Sequence, residues 1–236
     1  ARPERSDVQS PRAGGRPLTV PGRDPESDRP PLPPNRAVFD DPALAGRDAL
    51  IRAIGSPREI EMSEPIGGIT ADGRHAFGKR RDAEVVMVIP RPGGLLFHTK
   101  AFYPGGVLRL PTGGVKAGED VLAAACREAR EETGLDLSPV GFLFHLVHHL
   151  VREDGPRPFH SLGLLYSWTD ARIRPEDPEE QITAMVDVGW DSIPDITRQL
   201  EGLPPPWDTW GRFRARPHAP LLEARLQHPA WFEAGC

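Results

Sequence analysis

Three carboxylates recur at helical spacing in the middle of the chain: Glu128, Glu131 and Glu132. On a helix of about 3.6 residues per turn, offsets of three and four bring Glu131 and Glu132 back within about 60° of Glu128, so the three share one face. Without a cation they repel one another, and the cluster costs stability. Hard divalent ions take oxygen ligands of this kind, and Mg²⁺ pairs a few carboxylates with substrate phosphates. Arg127 can reach Glu131 at i+4, and Glu119 lies two turns earlier on Arg127's side. Thr112-Gly113-Gly114 lacks bulky side chains over two residues, so backbone groups there can approach a ligand. A small-residue loop followed by an acidic helix makes a phosphate-plus-metal site. The plainer reading is a solvated helix face with i,i+4 pairs, and residues 127–132 taken alone favour it.

The elements that must position these residues follow from periodicity and punctuation. Residues 119–133 contain no Gly or Pro and are dominated by Ala and Glu, with Gly134 following as C-cap, which predicts a helix. Leu122, Cys126, Ala129 and Thr133 form a narrow stripe expected to pack on a sheet while the Glu face stays open. Residues 84–89 are a β run stopped by Pro90 and Pro92, and Gly93-Gly94 with residues 95–98 reads as the return strand of a hairpin. Residues 107–110 read as a shorter strand ended by Pro111. Beyond the helix come β-rich runs at 140–152 and 159–169, a strand at 184–190, a short helix at 193–201 and a helical stretch at 208–227. Upstream, Asp40 or Asp41 is expected to cap a helix with Pro42 in its first turn and Leu44, Leu50, Ile51 and Ile54 on one arc, ended by Gly55 and Pro57. Strands both precede and follow the long helix, so the core is mixed α/β.

Gly113, five residues, Glu119, seven residues, then Arg127-Glu128-Ala129-x-Glu131-Glu132-x-Gly134-Leu135 resembles the Nudix box, G-x5-E-x7-R-E-U-x-E-E-x-G-U with U aliphatic. Every fixed position is matched, and Ala129 is the weakest of the aliphatic ones. The resemblance covers 23 residues directly and extends less specifically over about 80–200. It implies an α/β/α sandwich with a mixed β-sheet. It also implies a Mg²⁺- or Mn²⁺-dependent pyrophosphatase acting on a nucleoside diphosphate linked to another group, giving a nucleoside monophosphate and a phosphorylated product. Carried over, Glu128, Glu131 and Glu132 are the metal ligands, joined by the main-chain carbonyl of Thr112. Arg127 and Glu119 steady the helix and its carboxylates, and Gly113 and Gly114 lie against substrate. The family's general base often stands on a loop outside the box; Glu176, Glu179 and Glu180 qualify by position, with Glu180 the choice. The alternatives are another reaction on the same fold, such as a prenyl-diphosphate isomerase, and a nucleotide-sensing module that does not cleave. Retention of every box carboxylate favours the enzyme.

Composition frames these readings. The 236 residues carry 29 Lys+Arg against 34 Asp+Glu, a net charge of −5, which gives no general attraction to nucleic acid or an anionic membrane. The expected partner is a small-molecule nucleotide, and residues 37–80 or the C-terminal helices could supply a homodimer interface. No apolar run approaches the ~20 residues of a membrane span, no secretory h-region is present, and Cys126 and Cys236 are too few for a disulfide framework; a cytoplasmic protein is expected. Nine of 28 prolines fall within residues 1–36, which hold few aliphatics and no aromatic and read as a disordered extension. A helix and connecting segment at 37–80, a domain at 81–202 and a helical segment at 203–236 packed on it complete the organisation. His145 and His149 share a strand face while His148 points away, so strand packing or substrate contact is favoured over metal binding. Trp190 and Cys126 read as packing residues, residues 207–213 as a cover for the core or a dimer contact, and Phe102, Tyr103 and Phe159 as residues that could stack on a base.

Overall fold

The computed structural model describes residues 41, 44–63, 70–71, 74–75, 81–152, 155–176 and 178–234. In chain order the elements are α1 (Arg47–Ile54), β1 (Arg58–Glu61), the small hairpin β2 (Thr70–Ala71) and β3 (Arg74–His75), β4 (Ala83–Val88), β5 (Pro90–Arg91), β6 (Gly94–Lys100), β7 (Thr112–Gly114), α2 (Val121–Thr133), β8 (Pro139–Arg152), β9 (Gly155–Tyr166), β10 (Ile182–Gly189), α3 (Ile193–Glu201), α4 (Asp208–Ala215) and α5 (His218–Gln227). Five strands form a mixed sheet in the order β1-β8-β9-β4-β7, and β10-β6-β5 form a second sheet. The β1/β8 and β4/β9 pairs are parallel, whereas β8/β9 and β4/β7 are antiparallel.

Alternation along β4 divides the interior in two. Val85, Met87 and Ile89 face Val121, Ala124, Ala125 and Ala129 of α2 and Leu44 and Leu50 beside α1. Val86 and Val88 face the other way, into a core with Phe144, Leu146, Phe159, Ile193, Leu200, Trp210, Phe213 and Leu221 from the sheet and α3–α5. Helices therefore cover both faces of a mixed sheet: an α/β/α sandwich.

The expected return strand is β6, but its hairpin partner is the short β5, and β10 pairs on its other side. Residues 107–110 do not form a strand; Arg109 makes an isolated bridge to His98, and the pairing chain is instead Thr112–Gly114, which lies against β4. The first helix begins at Arg47 rather than in the turn after Asp41, because Gly46 adopts φ 79 and breaks the helical path; Asp40 and Pro42 lie outside the described residues. The C-terminal helical stretch divides at Arg216-Pro217 into α4 and α5.

Arg58–Glu61 belongs to the sheet as an edge strand. β1 pairs with β8 from Arg58↔Phe144 to Glu61↔Val147. Beneath it runs a buried relay whose direction follows from its ends. Arg47 Nε can only donate, so His145 Nδ1 accepts at 3.2 Å. His145 Nε2 then carries the proton and donates to His160 Nδ1 at 2.9 Å. His160 Nε2 in turn donates to the Asp41 carboxylate at 3.2 Å. Both rings are neutral: burial pushes His145 down to about 2 and lowers His160 as well.

Candidate active site

Asp120, not Glu119, starts the central helix: its side chain accepts from the amides of Leu122 and Ala123 at 2.9 and 3.2 Å. Gly134 ends it with φ 72. The last-turn carbonyls of Glu131 and Thr133 accept from the amides of Glu176 and Arg174 at 3.0 and 2.8 Å. These bonds satisfy groups a helix end leaves open, and they lay the loop leading to Glu180 along the helix.

The phase of α2 differs from the expected one. Val121, Ala124, Ala125, Glu128, Ala129, Glu132 and Thr133 are buried, while Leu122 is 40% exposed and Cys126 is half-buried. The packing stripe therefore takes in two of the three carboxylates, and only Glu131 stays partly open. Room for Glu128 comes from β7. A Cβ at Gly113 would lie 2.0 Å from Glu128 Cγ, so a side chain at 113 and Glu128 cannot share this space.

Arg127 gathers the outer half of the site. It donates to both oxygens of Glu119 at 2.8 and 2.9 Å, to Glu128 and Glu131 at 2.8 Å each, and to the Gly114 carbonyl at 3.0 Å. The Arg127 hydrogen bonds hold Glu119 below the usual carboxylate range. Burial raises Glu128 despite the same guanidinium.

Lys100 serves the inner half. Its ammonium lies 3.4 Å from Glu132 Oε1 and contacts the Glu180 carboxylate. Burial pushes Glu132 up to about 7 even with Lys100 and Arg109 opposing it. For Glu180, burial acts to raise the group, and the Lys100 ammonium outweighs it to hold the carboxyl below its ordinary value. Glu132 Oε2 has no hydrogen-bond partner among the described residues, and neither has either ring nitrogen of His98, whose Nδ1 stands 3.8 Å away. His98 is fully buried, and burial together with Arg109, Lys100 and Arg214 keeps it far below its ordinary value, hence neutral.

Of the three loop carboxylates, Glu180 alone reaches this group. Glu176 pairs with Arg130 at 3.3 Å on the surface, and Glu179 is exposed. Thr112 lies on the opposite side of β7 from Glu128. Its hydroxyl accepts from Arg109 at 2.8 Å and lies 3.5 Å from Arg214; Arg109 also donates to the Tyr103 hydroxyl at 2.5 Å, and Arg214 to Glu84 at 2.8 Å. Phe159, read as a base-stacking residue, is instead 1% exposed and packs on Phe213 and His148. Phe102 stays at the surface against Tyr103, which is half-buried beside Trp207 and Trp210. Trp190 is only partly buried, against Phe232.

Sequence reasoning passed over His98, Lys100, Arg109, Arg214 and Glu84. The available signal was their setting: His98 and Lys100 share one face of β6, and Glu84 is the charged residue of an otherwise apolar strand.

The NUDIX domain model matches residues 79–210, more than half the chain. The chain belongs to the Nudix family. Similar solved structures include an E. coli ORF135 protein (18% identity over 63% of this chain and 93% of that one, TM-score 0.43). Others are an ADP-ribose pyrophosphatase from Streptococcus suis 89-1591 (19%, 60% and 90%, TM-score 0.38) and a C. elegans Ap4A hydrolase (19%, 48% and 84%, TM-score 0.37). No curated protein sequence matches this chain. Among the described residues of this Nudix protein, no helix is long and apolar enough to cross a membrane. Nor do three or more His, Cys, Asp or Glu side chains of the described residues already converge on one point that could hold a metal ion; the box carboxylates are paired with Arg127 and Lys100 instead.

Proposed function

We propose that the chain hydrolyses the diphosphate bond of a nucleoside diphosphate linked to another moiety, releasing a nucleoside monophosphate and a phosphorylated product. The observation that carries this reading is the junction of the Arg127-bound carboxylates with buried Glu132, whose Oε2 lacks a partner among the described residues. A hard, oxygen-preferring cation suits that donor set. Glu128, Glu131 and Glu132, with the Thr112 carbonyl, would hold Mg²⁺ or Mn²⁺, which when bound offsets the charge developing on the diphosphate.

The chain's own residues do the rest. Arg127 fixes Glu128 and Glu131 to one guanidinium plane and ties them to β7 through Gly114. Glu119 fills the remaining faces of that guanidinium. Glu180, ionised under the influence of Lys100, accepts the proton of the attacking water. A new oxygen–phosphorus bond forms, the bridging phosphorus–oxygen bond breaks, and the leaving phosphate keeps the electron pair. Gly113 and Gly114 let the phosphates approach the backbone of β7.

Incubation with Mg²⁺ and a panel of nucleotide sugars, dinucleoside polyphosphates, ADP-ribose and nucleoside triphosphates tests the reading. Cleavage of at least one member to a monophosphate is expected, and Glu132→Gln should abolish it with an unchanged circular dichroism spectrum. Full activity in that variant, or an inert wild-type protein across the panel, overturns the assignment.

A further inference from the structure

The box carboxylates already have cations, and those cations belong to the protein. Arg127 and Lys100 play different parts. Arg127 has five acceptors within 3.0 Å, drawn from Glu119, Glu128, Glu131 and Gly114, so moving it would break them together. Lys100 has two, on separate elements: Glu132 of α2 at a loose 3.4 Å, and Glu180 in closer contact.

Both acceptors are fixed with respect to Lys100. Glu132 is fully buried on α2. Glu180 ends a 3₁₀ turn at Pro178–Glu180, and the carbonyl of the next residue, Gln181, accepts from the amide of Ala101 at 2.9 Å. Lys100 itself is paired to Ile182 across the β6/β10 ladder. The four-carbon stem therefore places one point charge between two anchored carboxylates. One ammonium does not satisfy both oxygens of Glu132: Oε2 stays without a partner among the described residues, facing the neutral His98 ring.

We infer that Lys100, already in closer contact with Glu180, is also the resident counter-ion of Glu132, that a divalent cation displaces it from Glu132, and that Glu180 then holds the ammonium alone, so that this pair sets the protein's metal affinity. The inference rests on the metal-ligand reading of Glu128, Glu131 and Glu132. Burial makes the arrangement useful, because an ionised Glu132 with no cation is costly. Lys100 keeps the metal-free fold intact and lowers metal affinity by the competition. Glu180 limits that loss by holding the lysine once Glu132 is taken by the metal. Lys100 and Glu180 thus act on metal affinity in opposite directions, which a purely structural ion pair would not do.

The experiment is a Mn²⁺ titration of the full chain, followed by loss of the free-Mn²⁺ paramagnetic resonance signal, with thermal unfolding in parallel. Lys100→Met is expected to lower the metal-free melting temperature and to bind Mn²⁺ at least tenfold more tightly than wild type. Lys100→Gln, which keeps a hydrogen-bonding end, should show the same direction if the methionine variant folds poorly. Glu180→Gln should bind at least fivefold more weakly. Lys100→Met/Glu180→Gln should match Lys100→Met, since Glu180 acts through the lysine; a double variant weaker than Lys100→Met makes Glu180 a ligand and overturns its holding role. Wild-type binding with unchanged or weaker affinity in both lysine variants overturns the inference and leaves the metal-ligand reading standing. No Mn²⁺ binding by wild type or either lysine variant overturns both.

Discussion

Replacing Gly113 by alanine tests how closely the box strand and the box helix are fitted. The added methyl would lie 2.0, 2.1 and 2.3 Å from Glu128 Cγ, Cδ and Cβ, where ordinary carbon contacts need about 3.5–4.0 Å. β7 cannot retreat easily, because Gly113 and both its neighbours are paired with β4 and Gly114 is bonded to Arg127. Glu128 must therefore swing away and give up its 2.8 Å bond from Arg127. Overpacking costs about 1–3 kcal/mol and a charge-assisted hydrogen bond about 1.5–3 kcal/mol, so the total is about 3–5 kcal/mol. For a domain of this size that corresponds to a fall of about 10 °C in melting temperature. Thermal unfolding by circular dichroism reads it directly. Gly105→Ala is the control, since a Cβ there meets nothing within 4 Å. In a Glu128→Gly background the cost of Gly113→Ala should shrink below about 1 kcal/mol, because the Cβ, Cγ and Cδ that meet the added methyl are all removed. A Gly113→Ala protein melting within 2 °C of wild type, or one whose loss persists in the Glu128→Gly background, would refute the reasoning.

Stability should decline as the pH falls from about 6.5 toward 5. His218 is held at about 4 and His145 at about 2 by burial, so the unfolded chain binds more protons and each group removes about 2 kcal/mol by pH 5. His98, His148 and His160 act with the same sign, while Glu132, raised to about 7, and Glu128, also raised by burial, oppose them. Urea midpoints at pH 7.5 and 5.0 decide the matter, and an equal or higher midpoint at pH 5.0 contradicts the balance. Arg214→Met leaves the buried Glu84 carboxylate with Ser161 as its hydrogen-bond partner among the described residues and should cost about 3–5 kcal/mol in urea titrations; Glu84→Gln in the same chain should restore part of it. Asp120→Ala removes the cap of α2 and should cost about 1 kcal/mol by the same assay.

The sequence exposed the box because its chemistry is local: Arg127 and the three glutamates sit within six residues, and their spacing is a helical spacing. The phase of the helix was not legible, because polar residues are ordinarily assigned to the open face and here Glu128 and Glu132 are turned inward. Thr112–Gly114 read as a loop since two glycines make a poor strand, yet glycine is what lets that strand pass over Glu128. β1 escaped notice because three of its four residues are charged, a composition suited to a sheet edge. Lys100, Arg109 and Arg214 come from places far apart in the chain, and no local pattern links a basic residue to a carboxylate dozens of positions away. Glu180 lay within reach of positional reasoning because it follows the loop that closes the helix end. Its partnership with Lys100 needed the sheet.

The strand β1 and the histidine relay bear on where this molecule can be cut. A fragment trimmed to residues 79–210, the segment by which the family is recognised, would keep the whole box. It would lose the parallel partner of β8, leaving a fourteen-residue strand with a bare edge that invites pairing with another chain. It would also remove Arg47 from His145 and Asp41 from His160, taking one partner from each of two buried rings. Proteolysis between α1 and β4 should therefore yield a piece that aggregates rather than a smaller folded domain. The box lies in the middle of the chain, and what covers the open edge of its sheet lies before it.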